Sequence, residues 1–249
     1  MKLNKFRASL TTIFVFALCL PQVFSQQQPF PEPHTQTEES NRLMTPDKAL
    51  DLLKAGNERF VRGLVMTRPI RQQFRETAPN QFPFAVILSC QDSRTDSQLI
   101  FDINNGDAFT IKIAGPVINS DIQGGLEFGI GPKFAKLIIV VGHTDCGAAK
   151  GTIDNKEAID RGVRGNLIDL LRKIRPALDR VDPRIQPPTS SNPAYVNAVA
   201  EQSTLLILEE IRRNPIIKAR LDAGTLGLVG AMHNLSTGEV TILNGRRRR

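Results

Sequence analysis

The amino-acid sequence predicts an α/β protein with a mostly parallel central β-sheet flanked by helices. Residues 84–88 and 137–141 are unbroken runs of apolar, largely β-branched side chains, which are typical of parallel strands buried on both faces. Segments with helical periodicity alternate with the predicted strands, and this alternation is typical of parallel α/β sheets. The chain has 249 residues and 41% hydrophobic content, so we expect one domain with a full core.

The first predicted helix begins at Thr45 and Pro46, which supply an N-cap and a proline at the first helical position. Leu50, Leu53 and Phe60 then fall on one face of that helix. Further strands are expected at residues 108–113 and on both sides of the turn at residues 236–238. Further helices are expected at residues 121–131, from residue 147 onward, at residues 165–175 and at residues 195–213. The prolines between residues 180 and 193 predict a surface loop.

Both ends of the chain are predicted to lie outside the folded domain. Three basic residues precede an apolar run that ends near the small residue Ser25, which is the pattern of a cleavable signal peptide, and the run is too short to cross a bilayer. The predicted organisation is a signal peptide over residues 1–25, a flexible leader over 26–44, the domain over 45–245 and a basic tail over 246–249. We therefore expect a secreted, periplasmic protein without a membrane contact after cleavage. A lipoprotein signal at Cys19 is the alternative, which the bulky Leu18 disfavours.

The net charge gives little support to nucleic-acid binding. The formal charge is +7, and the predicted signal peptide carries three basic and no acidic side chains, so the mature chain carries 7 − 3 = +4. The four arginines at residues 246–249 account for that remainder. A nucleic-acid surface would need a basic face with interleaved aromatic residues, and the aromatic content is 6%.

Polar residues with the chemistry of metal ligands follow the two buried strands. Cys90, Asp92 and Arg94 come directly after the first strand, and His143 and Cys146 follow the second. The carboxyl ends of parallel strands share one edge of the sheet, where α/β proteins bind their ligands. Two cysteines and one histidine provide three zinc ligands and leave the fourth tetrahedral position open, as in catalytic rather than structural zinc sites.

The Cys-x-Asp-x-Arg motif at Cys90, followed later by His-x-x-Cys at His143, resembles the zinc signature of the β-class carbonic anhydrases. Residues 49–60 resemble the N-terminal helix of that family, and residues 227–240 resemble its last strand and hairpin. The resemblance implies a β-carbonic anhydrase-like fold whose N-terminal helix packs on a partner subunit. It also implies Zn2+ as the cofactor, carbon dioxide and bicarbonate as the substrates, and a homodimer or a larger assembly of dimers.

The reaction that the resemblance implies is the reversible hydration of carbon dioxide to bicarbonate and a proton, by attack of zinc-bound hydroxide. Zinc lowers the pKa of a bound water molecule from about 15.7 to about 7. Because two thiolates donate more charge than histidines would, we expect neighbouring groups to assist. Arg94 is expected to hold Asp92 in a bidentate pair. In the family this aspartate accepts a hydrogen bond from the zinc-bound water or, in a closed form, becomes the fourth ligand.

Three further residues match substrate-binding positions of the family. Gln81 matches a glutamine that often acts across the subunit interface, Phe109 matches an aromatic residue of the carbon dioxide pocket, and Gly147 matches a glycine after the last ligand. The sequence departs from the family at residues 112–116, which read Lys-Ile-Ala-Gly-Pro where Arg-Asn-x-Ala-Asn is familiar. His233 is expected to be a core or interface residue rather than a proton shuttle.

Two other functions are compatible with the same residues. A relative on the same fold would hydrolyse carbon disulfide or carbonyl sulfide with the same ligands. A non-catalytic secreted module would use Cys90 and Cys146 to bind zinc or to form a disulfide, which export favours. The spacing of His143 from Cys146 and the presence of Asp92 and Arg94 disfavour the module, because a storage site needs neither Asp92 nor Arg94.

Overall fold

Five strands form one sheet in the order β2-β1-β3-β4-β5. The strands are β1 (Ala85–Ser89), β2 (Ala108–Lys112), β3 (Leu137–His143), β4 (Gly227–His233) and β5 (Val240–Leu243). The first four are parallel to their neighbours and β5 pairs antiparallel with β4. Every residue of β1 and β3 is buried, so the two strands that precede the predicted ligands form the centre of the sheet.

The computed structural model describes residues 35–131 and 134–243. The predicted signal peptide, the first part of the leader and the basic tail lie outside the described residues. The helices are α1 (Glu38–Arg42), α2 (Pro46–Val61), α3 (Ile70–Thr77), α4 (Ser97–Ile100), α5 (Ser120–Gly129), α6 (Gly147–Asp154), α7 (Lys156–Asp160), α8 (Asn166–Arg172), α9 (Pro193–Arg213) and α10 (Pro215–Asp222), with a 3-10 helix at Arg175–Arg180. Every helix in this part of the chain is too short or too polar to span a bilayer.

The alternation of side chains along the strands divides the core between two faces of the sheet. On one face, Ile87 and Ile139 pack with Leu53 of α2. On the other face, Val86 and Ile138 pack with residues of α5, α9 and α10. A third cluster, which includes Cys90 and Cys146, lies between α6, the 3-10 helix and α9. Helices therefore cover both faces, as the sequence predicted for a parallel sheet.

Helix α9 approaches the sheet closely because two strand positions are glycines. A Cβ at Gly142 would overlap Thr204 Oγ1, and a Cβ at Gly230 would lie 2.7 Å from Leu208 Cδ1. Both contacts are with α9, which runs along β3 and β4. The small strand residues thus set the position of the helix next to the end of β3, where His143 lies.

The structure corrects the predicted leader at residues 38–42, which form helix α1 instead of a flexible segment. Thr37 and Ser40 form a capping box, and the side-chain amide of Asn41 donates to the carbonyl oxygens of Phe82 and Pro83 at 3.2 and 3.0 Å. A single turn held by caps and one buried amide has no hydrophobic periodicity, so the sequence pattern did not indicate it.

Other elements were absent from the sequence prediction for similar reasons. Helices α3, α4, α7 and α10 were not predicted. Of these, α4 and α7 have only four and five residues, less than two helical turns, so neither shows a helical period. The helix predicted at residues 121–131 contains Phe128, an apolar residue that would be expected in the core, but its side chain is 63% exposed because it lies on the outer side of α5. The remaining predicted strands and helices are present within a few residues of their expected bounds.

Candidate metal centre

The ends of two central strands bring the three predicted ligands together. Cys90 directly follows β1, His143 is the last residue of β3, and Cys146 is the N-cap residue of α6. Their ligand atoms all lie within 4.8 Å of one another and all three residues are buried. Cys90 and Cys146 are both free thiols, so this structure does not contain the disulfide of the non-catalytic alternative.

The histidine is oriented as a metal ligand. Its Nδ1 lies 2.9 Å from the carbonyl oxygen of Thr144, which accepts a hydrogen bond when Nδ1 carries the proton. The lone pair of Nε2 is then free, and among the described residues this buried atom has no hydrogen-bond partner. One imidazole nitrogen with an available lone pair and two thiols form a donor set that suits a thiophilic cation such as Zn2+, so these residues fit this metal.

The two thiols titrate as a pair. A hydrogen bond from Cys146 lowers the pKa of Cys90 to about 4, against the opposing effect of burial. The adjacent Cys90 sulfur and burial raise the pKa of Cys146 above its ordinary value. The pair therefore takes one negative charge readily, and the second charge requires a cation to offset it, so metal binding would release a proton.

The loop between His143 and Cys146 is held from two sides. Asp145 adopts a φ of 58°, and its backbone N–H donates to Oδ1 of Asn197 on α9 at 2.8 Å. Its carboxylate pairs with Lys150 of α6. On the other side, the N–H of Thr144 donates to the carbonyl oxygen of His233 at 3.0 Å. The sequence analysis did not identify Asn197, because a side chain on a distant helix that binds one loop amide leaves no local pattern.

Asp92 and Arg94 form the predicted bidentate pair. Nε and Nη2 of Arg94 donate to Oδ1 and Oδ2 of Asp92 at 2.9 and 2.8 Å, and the backbone N–H of Arg94 donates to Oδ1 at 2.9 Å. These hydrogen bonds hold the pKa of the Asp92 carboxyl well below its usual range. The group is therefore an ionised acceptor across the neutral pH range.

Lys112, at the position where the sequence departs from the family, supports the same loop. Its Nζ donates to the carbonyl oxygens of Asp92 and Thr95 at 3.3 and 3.1 Å. The hydroxyl of Thr95 in turn donates to the carbonyl oxygen of Cys90 at 2.9 Å. The side chain at the end of β2 thus holds the segment that carries Asp92 next to Cys90, the first candidate ligand.

The other predicted residues lie at different distances from this centre. Gly147 is the exposed first residue of α6, and a Cβ there would meet no other atom within 4 Å. Gln81 is exposed and precedes β1, whereas Cys90 follows it, so the two lie at opposite ends of the strand. Phe109 of β2 pairs in register with Val86 and belongs to a ring cluster with Phe128 and Phe134.

His233 lies beside the metal ligand but is enclosed. It pairs in register with His143, its side chain is buried, and its Nδ1 has no partner among the described residues. Burial lowers its pKa, and the neighbouring His143 contributes in the same direction, so the imidazole is neutral at pH 7. This agrees with the prediction of a core residue.

The fold and the site are those of an α/β protein in which three buried side chains could hold one metal ion, and three ligands would leave a fourth tetrahedral position for water or substrate. A family model described as carbonic anhydrase matches residues 85–240. The carbonic anhydrase of Mycolicibacterium smegmatis is 32% identical over 209 residues, which are 79% of this chain and 93% of that protein. Carbonic anhydrase 2 of Mycobacterium tuberculosis is 32% identical over 79% of this chain and 92% of that protein.

Solved structures agree with these relatives. The β-carbonic anhydrase CcaA superposes with a TM-score of 0.61 at 26% identity, over 70% of this chain and 86% of that chain. This chain belongs to the β-carbonic anhydrase family of enzymes. The match includes the segments that carry all three candidate ligands, because residues 85–240 contain both motifs.

Proposed function

We propose that this chain is an exported, zinc-dependent enzyme that converts carbon dioxide and water into bicarbonate and a proton, reversibly. The observation that carries the proposal is the buried Nε2 of His143, which has no partner among the described residues and faces two free thiols. The Asp92–Arg94 pair stands within the same loop as Cys90, which a binding site for storage would not require.

Cys90, His143 and Cys146 would hold the metal, and a zinc ion there would supply Lewis acidity that lowers the pKa of water to about 7. Asp92 is ionised and accepts hydrogen bonds only, so it orients the O–H of the reacting water and leaves an oxygen lone pair directed at carbon dioxide. Arg94 fixes that carboxylate through both of its oxygens. Gly147 follows Cys146, and a Cβ at Gly147 would meet no other atom within 4 Å, which leaves room for a substrate beside the ligands.

The test is carbon dioxide hydration by stopped flow from about pH 6.5 to 9, with zinc and free thiols quantified in the same sample. We expect one zinc per chain, two free thiols in the mature protein and activity that rises with pH. A zinc-loaded, reduced protein that hydrates no carbon dioxide would overturn the proposal, and hydrolysis of carbon disulfide or carbonyl sulfide by that sample would support the sulfur-substrate alternative. A disulfide without zinc would support the non-catalytic module.

Replacing Asp92 by asparagine is expected to lower the hydration rate by about 10²-fold with zinc content unchanged, because an amide can donate to the water and no longer enforces its orientation. Asp96→Asn is the matched control. Asp96 lies four residues further on, caps α4 by accepting from Leu99, and its cap survives the same substitution. Equal rates for Asp92→Asn and the wild-type enzyme would contradict the role given to Asp92.

We propose that Gln81 serves the site of a second subunit. The five residues of β1 lie between Gln81 and Cys90, and this strand alone spans about 17 Å at the usual rise per residue. Side chains cannot bridge that distance within one chain. An isologous dimer would bring the exposed segment that carries Gln81 in one subunit to the candidate site of the other. The strand β2 lies at the edge of the sheet and its residues are half-exposed or exposed, so it is available for such a contact.

A mixing experiment tests the shared site. Gln81→Leu and Cys146→Ser are each expected to have little activity, but co-refolding equal amounts should restore activity at about a quarter of the sites, since half of the dimers are mixed and each has one complete site. Each variant refolded alone is the control. Activity that stays at the level of the two separate variants would place Gln81 outside the partner's site.

Export is proposed from the signal-peptide pattern of residues 1–25. Expression of the full chain in a bacterial host should deliver protein to the periplasm, with an N-terminus near residue 26. Mass spectrometry of the periplasmic fraction measures this directly, and an uncleaved chain that stays in the cytoplasm would overturn the proposal.

A further inference from the structure

The sulfur of Cys90 accepts a hydrogen bond from the protein backbone. The N–H of Gly115 donates to Cys90 Sγ with a nitrogen to sulfur distance of 3.4 Å, and both residues are buried. Cys90 follows β1, and Gly115 lies shortly after the neighbouring strand β2. Two parallel-ladder hydrogen bonds continue past the strand ends, from Ile113 N–H to Ser89 O and from Gln91 N–H to Ile113 O. The sheet register therefore positions this donor.

Only glycine fits at this donor position. Gly115 has a φ of 66°, in the left-handed region that side chains disfavour. A Cβ there would overlap Ile174 Cδ1 and would lie 3.0 Å from Ala148 Cβ. The backbone conformation and the crowding therefore both favour glycine at the position whose N–H points toward the sulfur.

We infer that Gly115 is a positioning residue of the metal centre, whose N–H withdraws charge from the Cys90 thiolate and so makes the bound cation more acidic. The inference rests on the proposed function, because it assumes a divalent metal at this site. Two thiolates donate more charge to a metal than two imidazoles would, which opposes the ionisation of water. Hydrogen bonds to an anionic ligand reduce that donation, and such outer contacts commonly tune metal sites.

The N–H of Gly115 stabilises negative charge on Cys90 Sγ, because a hydrogen bond to an anionic sulfur is charge-assisted. Because it is a backbone group, its effect does not change with pH, unlike that of an ionisable neighbour.

An amide-to-ester substitution tests the inference without adding atoms. Glycolic acid replaces Gly115 in the full chain, which removes the N–H and keeps the space. The same exchange at Gly224 is the control, because Gly224 has a φ of 67° and donates its N–H to Leu221 O at 3.1 Å, away from the metal centre. Both proteins are loaded with Co2+, and the sulfur-to-cobalt charge-transfer band is recorded in the absence of substrate.

We expect the band of the Gly115 ester to move to lower energy, because a sulfur without its hydrogen bond is easier to oxidise. The control ester should keep the wild-type band. With zinc bound, the Gly115 ester should lose about tenfold in hydration rate at pH 7 and recover as the pH rises. A band and a pH profile identical to those of the wild-type protein would overturn the inference.

A second variant covers the case in which the ester does not fold. Gly115→Ala combined with Ile174→Val removes the Cδ1 atom that the new Cβ would meet, and Ile174→Val alone is its control. Alanine disfavours the φ of 66° found at this position, so the N–H of residue 115 should turn away from the sulfur, and the double variant should shift the cobalt band in the same direction as the ester. A band shift in the variants together with a wild-type protein that hydrates no carbon dioxide would overturn the proposed function alone, whereas failure of the wild-type protein to bind Co2+ would overturn both.

Discussion

Cys146→Ser is expected to abolish zinc binding and carbon dioxide hydration together. A serine hydroxyl is not ionised at neutral pH, so two ligands remain where a catalytic zinc needs three. We expect zinc to fall well below one per chain after dialysis, and the hydration rate to fall by more than about 10³-fold because the acidity of the metal is lost. Metal analysis and stopped-flow hydration of the same preparation measure both effects.

Ser203→Ala is the control for this variant. Ser203 lies on α9, is buried, and lines the same small cavity beside His143 and Cys146, but it supplies no ligand atom to the cluster. Its removal should leave zinc content and activity close to those of the wild-type protein. Full zinc content and full activity in Cys146→Ser would place the metal elsewhere and would contradict the site described above.

The sequence predicted that the three candidate ligands lie together, because they follow the ends of two buried strands. A buried parallel strand has a strong apolar pattern, and polar residues directly after it must lie at the carboxyl edge of the sheet. Cys90 and His143 are therefore brought together by topology alone. Asp92 and Arg94 are two residues apart, so their pairing is also local.

The supporting contacts could not be predicted in the same way. Gly115, Lys112 and Asn197 act on the site through backbone atoms of other segments, and such contacts depend on register and helix position rather than on local pattern. The sequence did show an unusual segment at residues 112–116, but only as a departure from the family. Its contribution is visible once β2 is placed beside β1.

A second buried polar centre was also missing from the sequence analysis. Asp102 follows α4 with a φ of 45° and its carboxylate is fully buried. Nε of Arg59 on α2 donates to its Oδ2 at 2.6 Å, Arg68 pairs with its Oδ1, and the N–H of Met66 donates to Oδ1 at 3.1 Å. One carboxylate thus joins α2, the segment before α3 and the chain after α4. These three parts are distant in sequence, so no motif indicates the centre.

Asp102→Asn is expected to lower the free energy of unfolding by about 3–5 kcal/mol, because two largely buried guanidinium groups lose their counter-ion. Asparagine tolerates a positive φ, so the substitution changes the charge and leaves the backbone conformation accessible. Urea unfolding at fixed protein concentration measures the effect as a lower midpoint with an unchanged slope.

Asp145→Asn provides the matched control for Asp102→Asn, since Asp145 also has a positive φ, of 58°, and an ion pair, with Lys150. Both partners of that pair are substantially exposed, so its loss should cost at most about 1 kcal/mol. The difference between the two variants isolates burial as the cause, because the substitution and the backbone region are the same. Equal midpoints for the two variants would mean that the arginines around Asp102 relax to solvent, and that this carboxylate does not hold the three segments together.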